Sequence, residues 1–123
     1  MGRRKKRACL PFLQLPIHML ESDAWQDLSC YARTIYTEIG RKFNGYNNGN
    51  LSYTFQEASK IMHRNTYAKS LKELVSHGFI DLQRSGGLNK ACNIFALSYR
   101  WKKYGTPDFD QGKRTVINPN WKP

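Results

Sequence analysis

The amino-acid sequence predicts an α+β domain that is mainly α-helical, with a three-helix core, a short strand and a two-stranded hairpin. Two observations predict the helices. Apolar residues recur at three- and four-residue steps over residues 30–43 and 66–77, and a capping box at residues 54–57 opens a further helix between them. The hairpin is predicted by two short apolar segments that flank a turn containing Gly86 and Gly87.

The N-terminal third predicts a lead-in and two helices. Pro11 and Pro16 bracket an extended lead-in, and Pro16 suits the start of a short helix over residues 17–23. Ser29 is a good N-cap for the first long helix, residues 30–43. We expect both helices to turn their apolar residues inward, namely Ile17, Met19 and Leu20 in the short helix and Ala32, Ile35, Tyr36, Ile39 and Phe43 in the long one.

The middle of the chain predicts a reversal followed by a short strand and a short helix. The segment 44–50, NGYNNGN, suits turn and left-handed conformations and cannot continue a helix. Residues 51–53 are typical of a short strand. Thr54 and Glu57 form the capping box of a helix over residues 55–62. Its expected inward residues are Phe55, Ala58, Ile61 and Met62.

The next segment predicts a second helix close behind the first. After a break at residues 63–65, Asn65 is the predicted N-cap of a helix over residues 66–77, and Gly78 stands where a C′ glycine ends many helices. Its inward residues are Tyr67, Leu71, Leu74 and Val75. Strands are predicted at residues 79–83 and 93–99, joined by a basic turn at residues 84–90. This order of elements is that of a winged helix-turn-helix domain.

We place this domain at residues 15–101, between a basic N-terminal arm and lead-in at residues 1–14 and a basic, aromatic tail at residues 102–123. In the tail, Tyr104, Phe109 and Trp121 lie among Gly, Pro, Asp and Lys residues. This composition predicts a segment that either packs over the domain or becomes ordered on a partner. We assign Trp101 a structural role, because a Trp at the end of a strand usually closes a core.

The net charge of +11 indicates a polyanionic partner. Most of the excess lies at the ends of the chain. Residues 3–7 are all basic, and residues 100–123 carry six basic and two acidic residues. Between them, nine basic and seven acidic residues give a net charge of only +2. We therefore expect the ends to attract phosphate without reading sequence, and the domain to supply any specificity.

The candidate binding surface is the outward side of the helix at residues 66–77, because the second helix of a helix-turn-helix enters the major groove. This side carries Asn65, Thr66, Lys69, Lys72, Glu73 and Ser76. Asn suits adenine, Lys suits guanine or phosphate, and Thr suits the thymine methyl group. Glu73 either accepts from cytosine or pairs with Lys69 one turn back. An ordinary solvated face has a similar composition, so the capping box, the tight break and the basic hairpin carry the interpretation.

The predicted DNA-contacting residues form three groups. In the recognition helix they are Arg64, Asn65, Thr66, Lys69, Ser70 and Lys72, with base contacts expected from Asn65, Thr66 and Lys69. In the wing they are Arg84, Asn89 and Lys90, which we expect to contact the backbone or the minor groove. In the N-terminal arm they are Arg3, Arg4, Lys5, Lys6 and Arg7.

Four segments also carry a resemblance: SDAWQDLS at residues 22–29, FNGYNNGNLSYT at 43–54, SLKELVSHGFIDL at 70–82 and RSGGLNKA at 84–91. With them, residues 15–101 resemble the small winged helix-turn-helix proteins of bacterial chromosomes, phages and mobile elements, which are replication-initiator-like or regulatory. The resemblance implies a winged fold and DNA binding. It does not extend to the basic arm or to the end of the tail.

We expect a sequence-specific protein that binds double-stranded DNA, with a transcriptional regulator of a bacterial or mobile-element operon as the first hypothesis. The alternatives are a replication-initiation or plasmid or phage maintenance factor, a protein-interaction adaptor on a winged scaffold, and an RNA-binding protein. Competition among duplex DNA, single-stranded DNA and RNA separates these classes. The sequence contains no dimerising coiled coil, which leaves the first long helix and the tail as the segments that could form a homodimer interface.

Other function classes lack their sequence signatures. No nucleophile elbow, glycine-rich phosphate loop or paired carboxylate site indicates an enzyme or a small-molecule substrate. Cys9, Cys30 and Cys92 are widely spaced, which predicts free thiols and no metal or cofactor site. No apolar run approaches the roughly 20 residues of a membrane helix. We therefore expect a soluble, cytoplasmic protein.

Overall fold

The computed structural model describes residues 11–84 and 93–110. In these residues the fold is α+β and mainly helical, with five α-helices, an antiparallel hairpin and a closing 3₁₀ turn. The α-helices are α1 (Ile17–Leu20), α2 (Asp23–Gln26), α3 (Cys30–Gly40), α4 (Phe55–Ala58) and α5 (Arg64–Ser76). The strands are β1 (Ile80–Arg84) and β2 (Ile94–Leu97), and the 3₁₀ turn covers Arg100–Lys103.

The single helix predicted at residues 17–23 is two short helices. Ser22 separates them because its hydroxyl donates to the Met19 carbonyl oxygen at 2.6 Å and accepts from the Trp25 N–H at 3.2 Å, which caps α2. The prediction that Ile17 faces the core is wrong. Its side chain is 67% exposed, and Met19 is the buried residue of this single turn.

Helix α3 begins as predicted and ends earlier. The Ser29 hydroxyl accepts from the Ala32 N–H at 3.1 Å. The helix stops at Gly40 and not at residue 43, so Phe43 is exposed. Asn47 shapes the following turn, because its side-chain amide donates to the Lys42 carbonyl oxygen and its side-chain oxygen accepts from the Asn44 N–H.

The strand predicted at residues 51–53 is a single bridge to β2. The Leu51 N–H donates to the Phe95 carbonyl oxygen at 3.0 Å, and the Phe95 N–H donates back at 2.7 Å. β2 thus has β1 on one side and Leu51 on the other. Asn48 extends this contact, since its side-chain amide exchanges hydrogen bonds with the backbone N–H and carbonyl of Leu97. Asn48 therefore replaces a backbone partner at this edge.

The capping box at Thr54 and Glu57 is present, but the helix it starts has only four residues. The chain continues to Met62 as turns, and Ile61 is exposed, contrary to its predicted inward position. The predicted N-cap at Asn65 is also wrong. Helix α5 begins at Arg64 with His63 as its N-cap, and Asn65 lies in the first turn.

Helix α5 ends in a Schellman motif, as the predicted C′ glycine requires. The Phe79 N–H donates to the Leu74 carbonyl oxygen and the Gly78 N–H to the Val75 carbonyl oxygen, at 2.9 and 3.1 Å. Gly78 has a φ of +89°, and a Cβ there would lie 2.5 Å from the Trp101 backbone nitrogen. The helix end and the 3₁₀ turn are therefore in direct backbone contact.

One core joins these elements. Leu74 is fully buried, as its inward position in the predicted helix requires, and so is Ile80 at the start of β1. Trp101 is also buried and stacks on Phe79, with ring centres 5.8 Å apart and planes 10° apart. The Phe79 ring meets Trp25 edge-on at 5.5 Å. Trp25 lies in α2, Phe79 follows α5 and Trp101 lies in the 3₁₀ turn. These aromatic rings therefore pack an early helix, the end of α5 and the 3₁₀ turn together.

Residues 102–110 pack on the domain, which is the first of the two behaviours expected of the tail. The Tyr104 hydroxyl hydrogen-bonds to the Asp27 carboxylate at 2.9 Å, and its ring stacks on His77 at 5.0 Å. Phe109 meets Tyr104 edge-on. The packed unit thus continues past the predicted boundary at residue 101. Within the described ranges, no helix has the length and apolarity that would let it cross a membrane.

Candidate nucleic-acid interface

Helix α5 presents a narrow outward stripe opposite its packed side. At about 100° per residue, positions 65, 69, 72 and 76 fall together on one face. The stripe residues are Asn65, Lys69, Lys72 and Ser76, and all four are exposed. The packed side holds Tyr67, Leu71, Leu74 and Val75. The helix phase predicted for this segment is therefore correct for these residues.

Glu73, the only acidic residue of α5, is directed away from this stripe. Its Oε1 atom accepts from the Ser29 backbone N–H at 3.0 Å and from the Ser29 hydroxyl at 2.9 Å. It therefore does not form the predicted pair with Lys69. Within the described part of the chain, neither Lys69 nor Lys72 forms an ion pair or hydrogen bond. The stripe thus carries two positive charges without local compensation.

Three other predicted residues of this helix lie elsewhere on it. Ser70 is 2% exposed, so its inclusion among the DNA-contacting residues is wrong. It lies about 40° from Leu74 around the helix, which places it on the packed side. Thr66 is half-buried at the edge of the stripe. Arg64 is exposed, and its guanidinium carbon lies 5.3 Å from the centre of the Phe55 ring of α4.

The predicted wing and arm residues are described only in part. Arg84 ends β1 and is exposed, just after the register shift between Leu82 and Arg84 in the pairing with β2. Asn89 and Lys90 lie outside the described residues. So do the five arm residues Arg3, Arg4, Lys5, Lys6 and Arg7.

Helix α5 is held near its start by the segment that precedes α4 and at its end by the 3₁₀ turn. Near the start, the Tyr67 hydroxyl donates to the Tyr53 carbonyl oxygen. At the end, the Arg100 guanidinium donates to the carbonyl oxygens of Val75 and Ile80 at 3.0 and 2.9 Å. It also pairs with the Asp81 carboxylate at 2.6 Å. The Val75 carbonyl oxygen thus accepts two hydrogen bonds, one from the Gly78 N–H of the Schellman motif and one from Arg100.

Sequence reasoning missed the role of Arg100. Its signal is weak in the sequence, because a basic residue after a strand is common and its partners at Val75, Ile80 and Asp81 lie 19 to 25 residues away. Sequence reasoning also missed the partner of Glu73. Its spacing from Lys69 suggested a pair within the helix, whereas its partner Ser29 is 44 residues away.

A second charged pair lies away from the stripe, between α3 and α4. The Lys42 ammonium contacts the Glu57 carboxylate at 2.6 Å and the Ser52 carbonyl oxygen at 2.8 Å. Burial opposes the ionisation of Glu57, but hydrogen bonds from Lys42 and Thr54 outweigh it and hold the pKa of the carboxyl below its ordinary value. Lys42 is therefore engaged by the fold, unlike Lys69 and Lys72.

In the part of the chain that the structure describes, no three His, Cys, Asp or Glu side chains come together as a metal site. Comparison of the chain with protein-family models, with curated proteins and with solved structures gives no match.

Proposed function

We propose that this chain is a winged helix-turn-helix protein that binds double-stranded DNA and inserts α5 into the major groove. The observation that carries the proposal is the uncompensated outward stripe of α5. The single carboxylate of α5, on Glu73, is hydrogen-bonded to Ser29. Lys69 and Lys72 project without partners beside Asn65. DNA carries one negative charge per about 1.7 Å of helix axis, so such a face suits its groove.

The arrangement of elements supports the winged assignment. α4 and α5 are separated by a break of a few residues, as in a helix-turn-helix, and β1 and β2 form an antiparallel hairpin in the position of a wing. The bridge between Leu51 and Phe95 supplies the contact of the short strand with that hairpin. Arg84 is the last residue of β1 and directly precedes the segment that the sequence predicts as the wing turn.

Each exposed residue has a distinct proposed role. Asn65 and Lys69 are near the N-terminal end of α5, where base contacts concentrate, and they suit adenine and guanine edges respectively. Lys72 lies one turn further along and suits phosphate, as does Arg84 in the wing. The basic residues at positions 3–7 add attraction to phosphate without sequence preference. We propose that this specific binding regulates transcription of a bacterial or mobile-element operon.

The test is selection of a preferred duplex from a random pool, followed by titration of variants against that duplex and a scrambled one at fixed salt. Lys69→Ala and Asn65→Ala should weaken the selected duplex more than the scrambled one, by about 1–3 kcal/mol of discrimination. Lys103→Ala is the matched control, because it removes one exposed charge from the 3₁₀ turn. It should weaken both duplexes equally.

Two results would count against the proposal. If Lys69→Ala and Lys103→Ala have the same effect on both duplexes, α5 does not read bases. If the wild type selects no duplex, the adaptor hypothesis replaces DNA binding. For the regulatory role, a reporter whose promoter contains the selected duplex should respond to the wild type and not to the Lys69→Ala variant.

A further inference from the structure

A groove rich in aromatic side chains lies between the lead-in, the end of α3 and the end of β2. Its volume is about 600 Å³. Leu13 closes one wall, because Gly40 has no side chain: a Cβ at Gly40 would lie 2.8 Å from Leu13 Cδ1. The lead-in therefore rests directly on α3, and this contact places the neighbouring Phe12 at the rim.

The groove has a buried aromatic floor and an exposed aromatic rim. Tyr36 and Trp101 form the floor. Burial, with a smaller contribution from Tyr99, raises the pKa of Tyr36 to about 12. At the rim, Phe12 is 75% exposed, Tyr99 is 68% exposed and Phe43 is also exposed. Three exposed rings around one cavity form a surface that a flat, stackable ligand fits.

The charges around the groove are positive. Arg41 and Lys42 belong to its lining, and none of the described lining residues is acidic. Lys42 is held by Glu57, while Arg41 donates to Glu38 through one nitrogen and its side chain is 65% exposed. The Lys102 ammonium lies 5.2 Å from the centre of the Tyr99 ring. The sequence adds five basic residues at positions 3–7, four residues before the first lining residue, Pro11.

We propose that this groove binds single-stranded DNA, with bases stacked on Phe12 and Tyr99 and phosphates attracted by Arg41 and Lys102. Aromatic rings beside a cationic track are the combination that binds single strands with little sequence preference. An apolar peptide would use the rings but not the cations. The choice of DNA over RNA rests on the proposed function. The proposal that bases stack in the groove rests only on its exposed rings and does not depend on that function.

The experiment is a titration of a fluorescent oligothymidylate of about 20 nucleotides, read by anisotropy at fixed salt. Phe12→Ala/Tyr99→Ala should weaken binding by about 25-fold or more, since removal of each of the two stacking rings costs about fivefold or more. Tyr31→Ala/Tyr46→Ala is the matched control. It removes two exposed rings that do not line the groove, and it leaves the net charge unchanged. Its affinity should stay within about twofold of wild type. All four side chains are exposed, and equal melting temperatures verify that the variants are folded.

The duplex selected for α5 separates this inference from the proposed function. The groove variant should bind that duplex like wild type, and Lys69→Ala should lower duplex affinity more than oligothymidylate affinity. If the wild type selects no duplex but binds oligothymidylate through the groove, the proposed function alone is overturned. Equal effects of the groove and control variants on oligothymidylate overturn the inference. Tighter binding of oligouridylate than of oligothymidylate overturns the choice of DNA. If the wild type sediments as a dimer and the groove variant as a monomer, the groove binds a second copy of the chain and the inference is overturned.

Discussion

The Glu73 carboxylate of α5 accepts two hydrogen bonds from Ser29, one from its backbone N–H and one from its hydroxyl. The same Ser29 hydroxyl accepts from the Ala32 N–H at the start of α3. One serine thus caps its own helix and joins it to α5. The contact also removes the single negative charge of α5 from the neighbourhood of Lys69 and Lys72, so a packing contact shapes the charge of the exposed stripe.

We expect a double-mutant cycle between Ser29 and Glu73 to show a coupling energy of about 0.5–1 kcal/mol in urea unfolding. Ser29→Ala alone should cost about 0.5–2 kcal/mol, because it also removes the α3 cap. The matched cycle uses Lys69→Ala with Glu73→Ala, the pair that helical spacing suggests. Its coupling should be near zero. A larger coupling for Lys69 than for Ser29 would contradict the observed hydrogen bonds.

Gly78→Ala should destabilise the protein more than Gly49→Ala. Both glycines have positive φ, +89° and +91°, so a side chain at either position costs about 1–2 kcal/mol of backbone strain. At Gly49 a Cβ would meet nothing within 4 Å, whereas at Gly78 it would lie 2.5 Å from the Trp101 nitrogen and 2.8 Å from the Arg100 carbonyl carbon. Thermal melts measure the difference. Equal melting temperatures would show that the 3₁₀ turn moves away without cost.

Leu74→Ala should cost about 2–5 kcal/mol of unfolding free energy, because the side chain is fully buried and its removal leaves a cavity. Ile17→Ala is the comparison. The helical pattern suggested that Ile17 points inward, but it is largely exposed, so its loss should cost less than about 0.5 kcal/mol. Chemical unfolding of both variants tests the assignment. A large loss of unfolding free energy for Ile17→Ala would contradict the exposed position of Ile17 and favour the inward one.

The pair formed by Lys42 and Glu57 should make stability depend on pH in the acid range. The pKa of Glu57 is lower in the folded chain than its ordinary value of 4.5, so its stabilising contribution is complete above that value. It is lost as pH falls through the folded pKa. The difference in unfolding free energy between wild type and Glu57→Gln should therefore be constant near neutrality and shrink below about pH 4.5.

The control for this prediction is Lys42→Gln, which removes the ammonium that Glu57 contacts at 2.6 Å. In that background, Glu57→Gln should produce a smaller pH-dependent difference, because one cause of the lowered pKa is absent. Urea unfolding at a series of pH values measures both differences. An unchanged difference would assign the effect to Thr54 and the capping box.

The local features of this fold could be predicted because their hydrogen bonds span only a few residues. The Ser29 cap, the capping box at Thr54 and Glu57 and the glycine end of α5 each depend on side chains within one helical turn. The exposed stripe with Asn65 and Lys69 also follows from helical periodicity. These features, with the hairpin pattern, were enough to predict a mainly helical α+β chain and the helix that presents the candidate site.

Only the tertiary structure decided which borderline positions face the core and which long-range partners the charged groups take. Ser70 is buried and Ile17 is exposed because neighbouring elements cover the first and leave the second uncovered, which residue type does not reveal. Glu73 binds Ser29 across 44 residues, and Arg100 binds the end of α5 across 25. Helical spacing specifies neighbours on one helix. The packing of α3 and of the 3₁₀ turn against α5 specifies these long-range partners, and the contact of α3 with Glu73 leaves the charge of the candidate interface uncompensated.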